Sequence, residues 1–281
     1  MSMQLRVVHQ TRYEYDGKAV ASYNTARMTP QTTPEQIAVH TRLEITPKPW
    51  TYSYRDYFGT AVTAFQVLDP HEAMVVTANS TVQTNRPPTP QAAIGWEELA
   101  EREVADRWTE YLTLPELVAP PADFATRVRA IGEAAALPGD AAREICALVH
   151  DEVEYIPGST DVKSNAAEVW QQRSGVCQDM VHLVLGGLRT LGIPARYVSG
   201  YFHPQPAPRV GETVRAESHA WVEWWDHGWH PFDPTNHHEP CDRYVVVATG
   251  RDYEDVKPLA GIYSGTATST MSVDVEVTRL G

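Results

Sequence analysis

The sequence predicts an α+β protein, with an N-terminal antiparallel β-sandwich-like region followed by a core in which one buried helix meets a later antiparallel sheet. Three observations carry this. The first eighty-odd residues hold one strand pattern after another with no helix between them. A proline-rich break, "NRPPTPQ", follows at 85–91. Beyond it, a helix that is apolar on nearly every side precedes a second run of strands.

The early strands are "LRVVHQTRYEY", "AVHTRLEITP", "TYSYRDYFGTAVTAFQVLD" and "AMVVTANSTVQT". Each alternates or runs in β-branched and aromatic residues between Asp-Gly, Pro and Gly turns. Helical patterns follow in "WEELAEREVADRWTEYL", "ADFATRVRAIGEAAA" and "GDAAREICALVHDEVEY". The last carries Ile145, Leu148, Val149 and Val153 at helical spacing, with Asp140 expected as its N-cap and Cys146 as a buried thiol. The next helix begins near Gly175, and from Met180 to Leu191 its only polar side chains are His182, Arg189 and Thr190. Gly186 and Gly187 lower its helix propensity, which points to close approach of another element. Gly192 and Pro194 stop it. Strands are then expected in "ARYVSGYFH", "SHAWVEWW", "GWHPF" and "YVVVATG", with "TMSVDVEVTRL" last. There is no internal repeat. The expected organisation is an N-terminal β-rich domain at 1–86, a linker with a helical segment at 87–120, and a core at 121–281 that ends in a β-strand.

Composition bounds the function. The 281 residues are 42% apolar and 21% charged, which is ordinary for a globular chain. A formal charge of −13 offers no basic footprint for nucleic acid or for an anionic membrane. The start lacks the apolar segment of a signal peptide, and no apolar run is long enough to span a membrane. Three cysteines, 146, 177 and 241, form no disulfide framework. A cytoplasmic location is therefore expected.

The chemistry-bearing stretch is "RSGVCQDMVHLVLGGLRTLGIPARYVSGY" at 173–201. With Ser174 or Gly175 as cap, Cys177 falls in the first helical turn, among free N–H groups and the positive end of the helix dipole. That place suits a thiolate nucleophile, and the Cys177 N–H is positioned to donate to an oxyanion. A base and a group to orient it are also needed. His219 and Asp233 can fill those roles through a hairpin. Pairing Trp225 with Trp229 across "DHG" (226–228), with Gly228 in the left-handed position, puts odd-numbered residues on one face. His219 and Asp233 are then diagonal neighbours about 7–8 Å apart at the backbone. A two-residue loop would separate them. His182, five positions past Cys177, is rotated away from it and is expected to be capped or solvent-facing.

The motifs "GVCQD", "RYVSGY", "SHAWVE", "GWHPFDPTN" and "GRDYEDVKPLAG" together resemble the bacterial branch of the transglutaminase-like superfamily. The N-terminal stretch "LRVVHQTRYEYDGKAVASYNTARMTPQ" with "RDYFGTAVTAF" resembles the β-rich N-terminal region of the same branch. The resemblance implies a papain-like core, with a cysteine-bearing helix packed on an antiparallel sheet that carries the histidine and aspartate. Cys177 would be the nucleophile, His219 the base and Asp233 the orienting acid.

Gln178, Trp221 and Trp225 are candidates for the substrate cleft, although the tryptophans at 221, 224, 225 and 229 fit sheet core as well. The second oxyanion donor stays open, with Gln178 and the segment 155–165 near it in sequence. His230, His237, His238 and Cys241 match no standard zinc spacing, so neither metal nor cofactor is expected. The expected partner is a protein or peptide substrate, with no nucleic acid and no membrane. The expected reaction is acyl transfer from an amide through a thioester, ending in hydrolysis. A glutamine transglutaminase with an amine acceptor, a non-catalytic peptide-binding module and a metal hydrolase are the alternatives.

Overall fold

The computed structural model describes residues 2–87 and 93–281. Of the break expected at 85–91, only Asn85, Arg86 and Pro87 lie within the described residues. Six strands open the chain: β1 (Met3–Ala19), β2 (Ala21–Ala26), β3 (Gln36–Thr46), β4 (Trp50–Arg55), β5 (Ala61–Val67) and β6 (His71–Thr84). Then come α1 (Trp96–Leu99), α2 (Arg102–Arg107) and a 3-10 turn at Thr109–Leu112. The single helix expected over this stretch is thus broken. Glu97 and Glu98 lie four and three residues before Glu101, like charges at helical spacing that weaken a continuous helix.

The core contains α3 (Ala122–Ala134), α4 (Pro138–Glu152), β7 (Glu154–Tyr155), α5 (Ala166–Gln172), β8 (Ser174–Gly175) and α6 (Cys177–Thr190). It continues through β9 (Ala195–Phe202), β10 (Thr213–Ala216), β11 (Ser218–Trp225), β12 (Trp229–Phe232), β13 (Tyr244–Gly250), α7 (Tyr253–Val256), β14 (Leu259–Ser264) and β15 (Ser269–Arg279). Leu137, not Asp140, is the N-cap of α4. Pro138 starts that helix, where its missing N–H costs nothing, and Asp140 falls inside the first turn.

Two antiparallel sheets form the expected sandwich, in the orders β10-β15-β1-β6-β3 and β14-β2-β5-β4. Tyr15, Met28, Phe65, Met74 and Val76 fill the space between them. The other end of the long β1, at Leu5 and Val7, packs with Val275 and Val277 of β15 into the main core beside α6. Sequence order therefore does not divide the molecule in space. The final strand, expected to end the 121–281 core, pairs along β1 from Leu5↔Arg279 to Tyr15↔Ser269. β14 likewise pairs with β2, a strand that the sequence patterns did not mark. The last strand covers what would otherwise be an open edge of β1.

A third sheet, β12-β11-β9-β13, carries α6 on one face. Ala220, Val222 and Trp224 alternate onto the face that shares a core with Leu183, Val184 and Leu188. Helix α6 is buried almost all round, including Arg189, whose guanidinium donates to the Ala195 and Thr113 carbonyls. The expected close approach occurs at Gly186, where a Cβ would lie 2.2 Å from the Val118 carbonyl oxygen. Among the described residues no helix is long and apolar enough to cross a membrane.

The Gly186→Ala substitution gains about 1 kcal/mol of helix propensity. It also forces backbone overlap that costs about 3 kcal/mol. Urea denaturation should therefore show a net loss near 2 kcal/mol. An unchanged or raised midpoint would contradict the packing.

Candidate active site

Cys177 is the first residue of α6, and the cap is Val176, not Ser174 or Gly175. Valine offers no side-chain acceptor, so the turn is closed from the other side. Asp179 Oδ2 accepts from the Val176 N–H at 2.8 Å and from Thr160 Oγ1 at 2.6 Å. Burial pushes the Asp179 carboxyl up, against these two hydrogen bonds. The Thr160 contact ties the 156–165 loop to the helix start, and Gln178 Nε2 adds a bond to the Val162 carbonyl at 3.4 Å. The parallel β7–β8 pair sets Tyr155 opposite Gly175, beside the cysteine turn.

His219 is the second residue of β11, opposite Gly200 of β9. The hairpin has the expected register, Trp225↔Trp229, with Asp226 N–H donating to the Gly228 carbonyl across the loop. Its left-handed residue is His227 (φ 55°), not Gly228. The ladder stops at Val222↔Phe232, and Asp233 then bridges to His238. That departure brings Asp233 to His219, with Nε2 to Oδ2 at 2.6 Å.

Asp233 is fully buried and five donors surround its carboxylate. Tyr244 Oη and Asn236 Nδ2 join His219 at Oδ2, at 2.6 and 2.7 Å. The Thr235 and Asn236 N–H groups donate to Oδ1 at 2.9 and 3.1 Å. Burial would raise this carboxyl, but the bonds to His219, Asn236 and Tyr244 prevail and lower it to about 2. Burial likewise works against a charged His219. The hydrogen bond to Asp233, helped by the nearby Cys177 side chain, outweighs it and raises the ring to about 10. Because Nε2 is taken by Asp233, Nδ1 is the nitrogen left for Cys177. Phe202 and Trp221 flank the ring, with centroids 5.4 and 6.3 Å away.

A cleft of about 660 Å³ opens beside His219, between Tyr155, Phe202, Glu217, Asn236 and Asp274. None of the three cleft candidates lines it. Trp221 is fully buried beneath the histidine, in edge contact with Tyr244. Trp225 is six residues along β11 from His219, about 20 Å away, and packs on Trp108 and Trp229. Gln178 uses its amide on the 156–165 loop. The shared parity of these residues was real, but strand length carried one away and ring packing buried another.

His182 is fully buried, contrary to the capped or solvent-facing placement. Its Nε2 accepts from the Tyr253 N–H at 3.3 Å, and burial lowers it to about 3, so it stays neutral. Cys146 is buried as expected, and desolvation pushes its thiol far up. His230 stacks on Trp224, His237 stacks on His150, and His238 contacts the Glu239 carbonyl. Tyr244, Asn236, Asp179 and Thr160 were missed. The "DPTN" turn could have revealed Asn236, since an Asp at that position commonly accepts from the N–H groups that follow. Nothing local marks Tyr244.

Residues 5–83 match the bacterial transglutaminase-like N-terminal region, and residues 124–234 match the transglutaminase-like superfamily. The chain belongs to the transglutaminase-like superfamily. The superfamily match contains Cys177, His219 and Asp233 and stops one residue beyond the last. An uncharacterised protein of Mycobacterium leprae is 43% identical over 280 residues, 99% of each chain. A crystal structure from Cytophaga hutchinsonii, provisionally described as a cysteine protease, superposes with a TM-score of 0.78 at 22% identity. That match covers 100% of this chain and 92% of the other, and it shows the same fold. A shorter stretch of 71 residues is 38% identical to a protein-glutamine gamma-glutamyltransferase of Pseudomonas aeruginosa, covering 24% of this chain and 11% of that one. At this coarse level the chain is a cysteine-dependent enzyme of the transglutaminase-like superfamily, with its N-terminal β domain and papain-like core.

The His219 shift fixes a sign for stability. A group raised from 6.5 to about 10 contributes fully below pH 6.5 and loses its contribution as pH climbs through 10. Urea midpoints of the wild type relative to His219→Gln should therefore fall between pH 6.5 and 10. Asp233, lowered from 3.8, contributes above that pH and loses its contribution only as pH falls toward 2. A wild-type-minus-variant difference that stays flat from pH 6.5 to 10 would contradict the charged pair.

Proposed function

We propose that Cys177, His219 and Asp233 act as a catalytic triad that cleaves peptide or other amide bonds through a thioester. The observation that carries the proposal is the 2.6 Å bond from His219 Nε2 to a buried Asp233, with Nδ1 left for a cysteine at a helix N-terminus. Sulfur attacks the amide carbonyl, and the oxyanion that forms accepts from the Cys177 N–H, which as the first helical residue has no partner within the helix. The His219 proton passes from Nδ1 to the departing amine as the C–N bond breaks, leaving a thioester and a neutral imidazole. Imidazole then takes a proton from water, hydroxide adds to the thioester, and the thiolate leaves with imidazolium restored. Asp233 keeps the ring oriented and charged and does not itself take the proton. Its five hydrogen bonds supply the rigidity that this role requires.

Transamidation replaces water with an amine in the second half, and the local likeness to the Pseudomonas gamma-glutamyltransferase favours keeping that reading as the second one. It rests on a quarter of the chain. A peptide-binding module would not need the Asp233–His219 bond, so it ranks third.

The Cys177→Ala variant should abolish release of new amino termini from a peptide library. Asp233→Asn should slow release at least a hundredfold, because a neutral amide neither fixes the tautomer nor supports the imidazolium. Added primary amine should change the products little. Amine incorporation outrunning cleavage would overturn the hydrolytic reading, and a fully active Cys177→Ala would overturn the triad.

A further inference from the structure

Resting on the thiol acyl-transfer reading, we infer that Glu217 is a specificity carboxylate and that the cleft takes peptides with a cationic, lysine-type side chain beside the scissile amide. The cleft is built from both halves of the molecule. Tyr155 and the Arg215–His219 segment form one side, and Val273 and Asp274 of the final strand form the other. The N-terminal sheet, through β15, thus supplies a wall of the substrate site.

Four side chains bring charge to this cleft, Arg215, Glu217, His219 and Asp274, and the charge of His219 is taken up by the buried Asp233. Arg215 has carboxylates of its own on β15, since Asp274 Oδ1 lies 3.8 Å from its Nε and Glu276 is its cross-strand partner. Glu217 is exposed and has no ion pair with any described residue. It sits two residues before His219, about 7 Å along the chain. It also shares a neighbour with the nucleophile. Tyr155 lines the cleft together with Glu217 and lies opposite Gly175 in the β7–β8 pair, two residues before Cys177. Burial raises its hydroxyl to about 12, with smaller contributions from the charges of Cys177 and Glu217. An unpaired carboxylate in a cleft that also holds an aromatic ring suits an ammonium on an aliphatic stem. The stem lies on the ring and the charge meets the carboxylate. An anionic side chain would meet repulsion from Glu217 and from a chain of net charge −13. The carboxylate is solvent-exposed, so the expected preference is three- to fivefold.

The test uses the full chain and does not depend on turnover. Cys177 is alkylated with iodoacetamide, a neutral probe, and protection is measured with end-capped pentapeptides that carry lysine or Nε-acetyl-lysine at the centre. For the wild type, lysine peptides should protect at three- to fivefold lower concentration than their acetylated forms. Within each variant, the ratio of the two should fall to about one in Glu217→Gln, and it should persist in Glu217→Asp. Glu217→Lys should favour a glutamate peptide instead. Thermal melts would establish that each variant is folded. Equal protection of the wild type by both peptides, protection by neither, or a lysine preference that survives in Glu217→Gln would overturn the inference. The alkylation itself separates this failure from failure of the triad. Cys177 labelling no faster than Cys241 would remove the thiol reading and the subsite with it.

Discussion

The site depends on one buried charge. Asp233 has no exposure to solvent, and a carboxylate in that position is tolerable only when its oxygens are fully used. Five donors from three places meet that requirement: His219 on β11, Thr235 and Asn236 in the turn after β12, and Tyr244 on β13. The sheet order sets β9 between β11 and β13, so the Tyr244 hydroxyl has to reach across it. At Gly200 of β9, opposite His219, the neighbouring strand and the Trp221 ring come close. A Cβ there would meet the Val245 carbonyl oxygen at 1.9 Å and the Trp221 ring at 2.9 Å. The charge thus couples strand register, turn geometry and ring packing. In return it holds His219 charged inside a site where burial alone would keep it neutral.

The nucleophile is fixed by a separate part of the chain. Helix α6 is anchored along its whole length by apolar packing, so its first residue is held without depending on a side-chain cap. Asp179 closes the first turn and, through Thr160, draws the 156–165 loop against it. Loops are usually mobile, and two bonds to a rigid helix start place this one beside the cysteine. Tyr155 precedes that loop directly, which explains why an aromatic ring stands at the entrance to the cleft.

Much of this was legible before any coordinates. Periodicity marked the buried helix, because twelve positions with three polar side chains leave no solvated face. The Trp225–Trp229 register followed from a three-residue loop, and it put His219 and Asp233 on one face; the break in the ladder after Phe232 then closes the distance between them. The misreadings have common physical causes. Parity places a residue on a face but says nothing of distance along a strand or of burial, so Trp221 and Trp225 were placed in a cleft that neither reaches. A lone polar residue in an apolar helix reads as exposed, whereas His182 finds a backbone N–H inside the core. Long-range pairing leaves no local trace, so neither the Tyr244 bond nor the return of β15 to β1 could be read from the chain. That return also gives the N-terminal sheet its place in the cleft.

The central claim is that Asp233 holds His219 as an imidazolium facing Cys177. Nitrogen-15 NMR of the imidazole rings tests it most directly. The account predicts a His219 signal with both nitrogens protonated at pH 8, titrating near pH 10. A His219 ring already neutral at pH 8, titrating near its ordinary 6.5, would contradict it.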